Sequence, residues 1–355
     1  MADIQGLNQP SAANLLEQSN LESRDLKAAK ETIGLEISFA DRSDLKQKLH
    51  SEGSPLHPGE NSSPDSCSVS RIAVVNNFNQ SPITTGDQQT IVASHGELVA
   101  LASGGKHPVI AFNAATTTSG STGIDDAEMI EALKTIGTSH QSNCISTVNL
   151  SFSDPVSFAA INQLVEQSSR KLSSSVEKIT PENVAEHSAT IRHAVEEAAT
   201  THGESLGSIP ELGRDHTEVQ KYLRQTIDAA NAIRNLTEQG LSVVEAAGNN
   251  GPNKISLLSI MAPEMVTVCG TDTSGKLAAD NSSFHSLVDA CKPMTHRFAL
   301  GDGAHLYQDG TSFAAPALAS EIADAHDLGF SGTKVNNLLA ENRDKLVPHN
   351  NSIKK

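Results

Sequence analysis

The segment richest in chemical content is DGTSFAAP, residues 309–316, where Ser312 follows Gly-Thr and opens a run of small residues. The pattern predicts a helix beginning at the serine. A hydroxyl placed there sits at the positive end of the helix macrodipole, beside unpaired N–H groups that favour a developing anion. The small residues behind it let such a helix pack deep in a core and hold the serine still. An ordinary serine cap on a buried helix has the same pattern, so this segment alone leaves nucleophile and cap both open. It is not the nucleophile elbow G-x-S-x-G, because Ala314 takes the place of the last glycine. Other candidate chemistry is weaker. GTDTSGK at 270–276 nearly spells a phosphate loop, but Leu277 stands where Ser or Thr would hold magnesium, and the following LAADNSSF reads as loop. The 14 histidines, His187 and His193 among them, show no H-E-x-x-H or comparable spacing, so neither metal nor cofactor is expected.

The elements that must position Ser312 alternate in kind. RIAVVNNF (71–78) is a short β-branched run ending in turn formers, suited to a buried parallel strand. A helical pattern follows from His95, then VIAFNAA as a strand and DDAEMIEALKTIGTS as a helix with an acidic first turn. CISTVNLSFS, LSVVEAAGNNG and MVTVCGTD read as three further strands, before the long helix from Ser312. Strand–helix alternation on this scale implies an α/β domain, residues 69–348, with a mostly parallel central sheet covered on both faces. Between the third and fourth strands one crossover helix would suffice, yet residues 154–240 carry several helical patterns. The surplus predicts a helical insertion at about 155–215, a surface that could bind another protein. Residues 1–68 are polar, rich in Ser, Asn, Gln and Glu, and end in a Pro/Gly/Ser cluster; they are expected to be a disordered leader or linker.

Taken with this alternation, four segments resemble the subtilisin-like serine peptidases. Gly310-Thr311-Ser312 with Ala314 and Pro316 resembles the family's nucleophile motif. Ser94-His95-Gly96 before a helix resembles its histidine motif, although Leu98 stands where the family usually has a second histidine. Ala246-Ala247-Gly248-Asn249-Asn250-Gly251 resembles the segment whose asparagine supplies the oxyanion-hole amide. Ser151, Phe152 and Ser153 resemble the strand edge that flanks the substrate P1 side chain, with Ser153 replacing a common glycine. The pieces fall in the family's order over about 70–345. What the resemblance implies is a three-layer subtilisin-like fold, with Ser312 as nucleophile, His95 as general base and Asn249 in the oxyanion hole.

One position departs. The strand carried here by IAVV ends, in the family, in the aspartate that orients the catalytic histidine; here it ends in Asn76. That aspartate accepts a bond from one imidazole nitrogen and stabilises the imidazolium that forms as serine loses its proton. An asparagine has no charge and can present O or NH₂ to the ring. With NH₂ inward, the wrong tautomer results, and a known Asp-to-Asn change of this kind lowers kcat by about 10⁴. Asp87 and Glu97 are the nearby carboxylates that could substitute. Two readings follow: a serine endopeptidase of reduced activity acting on protein or peptide substrates, and a pseudoprotease that binds peptides or scaffolds through the old cleft or the insertion.

Composition narrows the partners. With 26 Lys and Arg against 42 Asp and Glu in 355 residues, the formal charge of −16 disfavours nucleic acid and anionic membrane surfaces. No apolar run approaches the ~18 residues of a membrane span, and the N-terminus lacks the pattern of a secretory signal. The chain is therefore expected in the cytoplasm, or exported by a route without a cleaved signal peptide. Cys67, Cys144, Cys269 and Cys291 are scattered without a CxxC pair, and reduced structural thiols are expected.

Overall fold

The computed structural model describes residues 67, 69–84, 90–103, 107–116, 123–169, 177–200, 209–213, 215–272, 278–299 and 305–348. Apart from Cys67, the expected leader at 1–68 lies outside the described residues, as does Asp87.

Six parallel strands form the centre: β1 (Arg71–Asn76), β4 (Val109–Asn113), β5 (Ile145–Leu150), β7 (Ser242–Ala246), β9 (Val266–Thr271) and β10 (Ala290–Pro293), in the spatial order β10-β9-β7-β5-β1-β4. Every pairing within this sheet is parallel. The five strands read from the sequence are all present. β10 is an addition, drawn from a stretch whose few apolar residues gave no strand signal. Three small antiparallel pairs also appear: β2 (Ser81–Thr84) with β3 (Thr90–Ala93), β6 (Pro155–Ser157) with β8 (Lys254–Ser256), and β11 (Thr295–Ala299) with β12 (His305–Asp309).

Side-chain alternation along the strands divides the core in two. Ala73 and Val75 of β1, Val148 and Leu150 of β5 and Val243 of β7 face one layer. That layer holds α2 (Asp126–Ser139), α3 (Phe158–Ser169), α4 (Val184–Thr200), α5 (His216–Glu238) and α6 (Leu257–Met261). Ile72, Val74, Val244, Ala246, Val266 and Val268 face the other, built from α1 (His95–Ser103), α7 (Thr311–Asp327) and α8 (Gly332–Glu341). A last short helix, α9 (Arg343–Leu346), closes the described chain. The result is a three-layer α/β fold around a parallel sheet, the architecture expected from sequence.

Within the stretch expected to be an insertion, α3 and α4 bury Ile161, Leu164, Ile191 and Val195 in the same core cluster as the sheet residues. Among the described residues no helix is long and apolar enough to cross a membrane.

The cysteines overturn one expectation. They form two disulfides, Cys67–Cys144 and Cys269–Cys291. The reason is register. Cys269 on β9 and Cys291 on β10 are direct partners in the ladder, with Cα atoms 4.4 Å apart. Cys67 and Cys144 precede the adjacent strands β1 and β5, with Cα atoms 5.5 Å apart. Both separations suit a disulfide, and neither pairing is visible without the strand order.

Candidate active site

From β1 the chain goes to β4 on one side and β5 on the other, so the sheet order reverses at β1. In open α/β sheets the crevice at the carboxyl ends of the strands, where the order reverses, is the usual ligand site. Asn76 is the last residue of β1. Its even position places it on the same face as Ile72 and Val74, toward α1 and α7.

Local chemistry brings His95 to it. Ser94 caps α1: its Oγ accepts from the Glu97 N–H at 3.0 Å, while the Ser94 N–H donates to Glu97 Oε2 at 2.6 Å. This reciprocal pair is a capping box, and Gln80 Nε2 donates to the second carboxylate oxygen at 3.0 Å. Glu97 is thus committed to the helix start and does not replace the missing aspartate. Gly96 then closes the approach, its N–H donating to Asn77 O at 2.8 Å. A Cβ on Gly96 would lie 2.9 Å from that oxygen, so a larger residue would push α1 off the strand.

His95 Nδ1 lies 2.8 Å from Asn76 Oδ1. The same oxygen accepts the Asn77 backbone N–H at 2.8 Å. A backbone N–H can only donate, so it demands the oxygen and not the NH₂ of the Asn76 amide at this point. With oxygen inward, His95 carries its proton on Nδ1 and leaves Nε2 as an acceptor. The wrong-tautomer arrangement considered above is therefore disfavoured by a neighbour in sequence. Asn76 Nδ2 is buried without a partner, and burial lowers the His95 pKa from its ordinary value. A neutral imidazole suits a general base, and among the described residues no charge acts on His95 to stabilise the imidazolium.

Ser312 is the second residue of α7 and is half-buried. Its neighbour Phe313 packs its ring 5.9 Å from the His95 ring, centroid to centroid, which brings the serine and the histidine to one place. No hydrogen bond joins His95 to Ser312; such bonds are often long until a substrate is bound. Asn249 comes from the loop after β7. Its Oδ1 accepts from Thr311 N at 2.8 Å and from Thr311 Oγ1 at 3.1 Å, and Thr311 Oγ1 accepts the Gly248 N–H at 3.1 Å. With its oxygen held, the exposed Asn249 offers Nδ2 as a donor beside the start of α7. Gly310, at φ 153°, makes this approach possible: a Cβ there would sit 3.2 Å from Nδ2.

The fourth predicted segment divides. Ser151 is buried, its Oγ accepting from Asn149 Nδ2 at 2.7 Å. Phe152 and Ser153 line a cavity of about 470 Å³ on the α2/α5 face of the sheet. Ser153 also packs against Gly248: its Oγ would lie 2.7 Å from a Cβ there.

The same cavity contains residues that sequence reasoning missed: Asp126, Asp154, Tyr222 and Glu245. Glu245 is wholly buried on β7 and accepts from Ser256 Oγ at 2.7 Å and Ser259 Oγ at 2.6 Å. Burial pushes its carboxyl up to about 7, against the two hydroxyls, which lower it. Burial also raises Asp154, against a hydrogen bond from Tyr222 and the charge of Lys254. Asp126 is raised by burial and by Asp154 and Asp125, against Lys221. A signal for Glu245 was present, since it is the one charged residue in the strand segment LSVVEAAG. Among the described residues no group of three or more His, Cys, Asp or Glu side chains could hold a metal ion.

Fold and site together define an α/β protein with a serine, a histidine and two amides at the carboxyl edge of a parallel sheet. No protein-family model matches the chain, and no curated protein matches it. Among solved structures it is similar to a cold-adapted subtilisin-like serine proteinase, at 17% identity and TM-score 0.41, over 81% of this chain and 86% of that one. It is similar to the prenylagaramide maturation protease at 15% identity and TM-score 0.42, over 82% and 85%. A third is the epidermin leader-peptide-processing serine protease of Staphylococcus aureus, at 13% identity and TM-score 0.43, over 79% and 68%.

Proposed function

We propose that this chain is a subtilisin-like serine endopeptidase whose triad carries Asn76 in place of aspartate and which works more slowly for it. The observation that carries the reading is the amide lock: the Asn77 N–H holds Asn76 Oδ1 toward His95 Nδ1. In the proposed reaction Ser312 Oγ attacks the scissile carbonyl while His95 Nε2 takes its proton. Asn249 Nδ2 donates to the developing oxyanion, and His95 returns the proton to the leaving amine. Asn76 fixes the tautomer and the ring orientation but contributes no charge.

Phe152 and Ser153 support placing the substrate P1 side chain in the cavity they line. The two disulfides support an oxidising compartment over the cytoplasm. The absent charge beside His95 also favours a second reading, a pseudoprotease that binds peptide in the same cleft.

A fluorophosphonate probe separates the two. The expected result is slow labelling of the wild type, none in Ser312→Ala, and faster labelling in Asn76→Asp. No labelling in either wild type or Asn76→Asp would leave only the binding protein.

A further inference from the structure

We propose that the cavity beside the candidate nucleophile selects a lysine or arginine side chain, so that the enzyme cleaves after basic residues. This rests on the peptidase reading and names its substrate class. A short run of contacts leads from the cavity wall to the start of α7. Ser153 on its wall packs against Gly248, the next residue Asn249 binds Thr311, and Thr311 precedes Ser312. A side chain leaving the scissile residue beside Ser312 therefore has this space to fill.

The lining is suited to one kind of occupant. Met129, Phe152 and Leu258 give apolar walls for an aliphatic stem, while Asp126, Asp154 and Glu245 supply carboxylates. None of the lining residues is Lys, Arg or His. Two lysines act on the carboxylates from beyond the lining: Lys254 on Asp154 and Lys221 on Asp126. Lys254 is shared with Glu211, 3.8 Å away. Glu245 accepts from two hydroxyl donors, and the other titratable groups of the lining are Asp126, Asp154 and Tyr222, none of them cationic. A buried carboxylate whose partners are neutral hydroxyls, as at Glu245, favours a cation that enters, and Asp126 and Asp154 add two further carboxylates on the same lining. A guanidinium can satisfy two oxygens at once, and a carboxylate in the P1 pocket is an established device for basic specificity. A glutamate side chain would meet like charge, and a leucine would leave the carboxylates unpaired.

Glu245 adds a second consequence. Burial holds its carboxyl near 7, so at neutral pH a cation entering the cavity displaces its proton. The preference for a basic side chain over a neutral one should therefore strengthen as pH rises through about 7.

The test uses Asn76→Asp, once it labels, with peptide p-nitroanilides that differ only at P1. Arginine and lysine are expected to exceed leucine and phenylalanine by about 100-fold or more in kcat/KM. Asp154→Asn and Glu245→Gln should each reduce that ratio about tenfold, and Glu245→Gln should remove its rise with pH. Preference for a neutral residue, or a basic preference that neither substitution changes, would overturn the proposal and leave the peptidase reading intact. If no variant labels, the peptidase reading fails by itself, and benzamidine binding to the wild type then tests the cavity by calorimetry. Binding that weakens in both cavity variants supports a cation site; no binding overturns it.

Discussion

On the α1/α7 face of the sheet the side chains that meet His95 and the start of α7 are neutral amides, Asn76 and Asn249, each oriented by a backbone N–H. Through the sheet, on the α2/α5 face, they are carboxylates, Asp126, Asp154 and Glu245, with burial raising every pKa. The two regions meet at the loop after β7, which carries Glu245 before its end and Asn249 just beyond. The difference separates two tasks. Holding an imidazole or an oxyanion needs a fixed direction, which an amide gives without the desolvation penalty of a charge. Selecting a cationic side chain, as proposed for the cavity, needs charge, and burying that charge costs stability.

The largest expected effect falls on the amide side. Asn249→Ala removes the proposed oxyanion donor and should lower the acylation rate about 10²–10³-fold, measured with the labelling probe against unchanged folding by circular dichroism. An unchanged rate would remove Asn249 from the machinery. Glu245→Gln sharpens the comparison from the other side. The Glu245 carboxyl lies at about 7 in the folded protein against 4.5 ordinarily. Below the lower value both states hold the proton and nothing is lost. As pH rises through this interval the unfolded chain ionises first, so the wild type loses up to about 3 kcal/mol, fully by pH 8. Glu245→Gln should therefore gain stability relative to the wild type between pH 4 and pH 8, read by chemical denaturation. A difference that does not change with pH would mean that Glu245 is charged at no penalty.

These two regions were unequally legible in the sequence. Ser312, His95, Asn76 and Asn249 stand in short motifs with fixed neighbours, and the strands that carry them are apolar runs whose period is unambiguous. The cavity has no such signature. Asp126, Asp154, Tyr222 and Glu245 come from four elements that converge only once α5 crosses back over the sheet. Similarly, Cys269 and Cys291 pair because β10 adds beside β9, and β10 carries too little apolar pattern to announce itself. Motifs report what is local in the chain, whereas pockets and disulfides follow from strand order.

Asn76→Asp asks how much a charge beside His95 matters once direction is already secured. Where the substitution also reverses the tautomer, the penalty is about 10⁴. Here the Asn77 N–H keeps the oxygen inward, so what remains is the difference between a neutral and a charge-assisted hydrogen bond, about 10- to 100-fold in rate. The measurement is the ratio of labelling rates for Asn76→Asp and wild type. A ratio near 10⁴ would mean that the amide flips in solution and that direction was never secured.

The smallest effect tests whether Glu97 belongs to the scaffold or the chemistry. Its carboxylate receives the Ser94 N–H and anchors the first turn of α1, whose first residue is His95. A glutamine fills the same place in a capping box. Glu97→Gln should then label at nearly the wild-type rate, while Glu97→Ala and Ser94→Ala each lose about 1 kcal/mol of stability and label more slowly as His95 loosens. If Glu97 instead supplied the charge that Asn76 lacks, glutamine would be as damaging as alanine. Rescue by glutamine would leave Asn76 as the side chain hydrogen-bonded to His95, so the contrast between the two faces turns on this comparison of two variants.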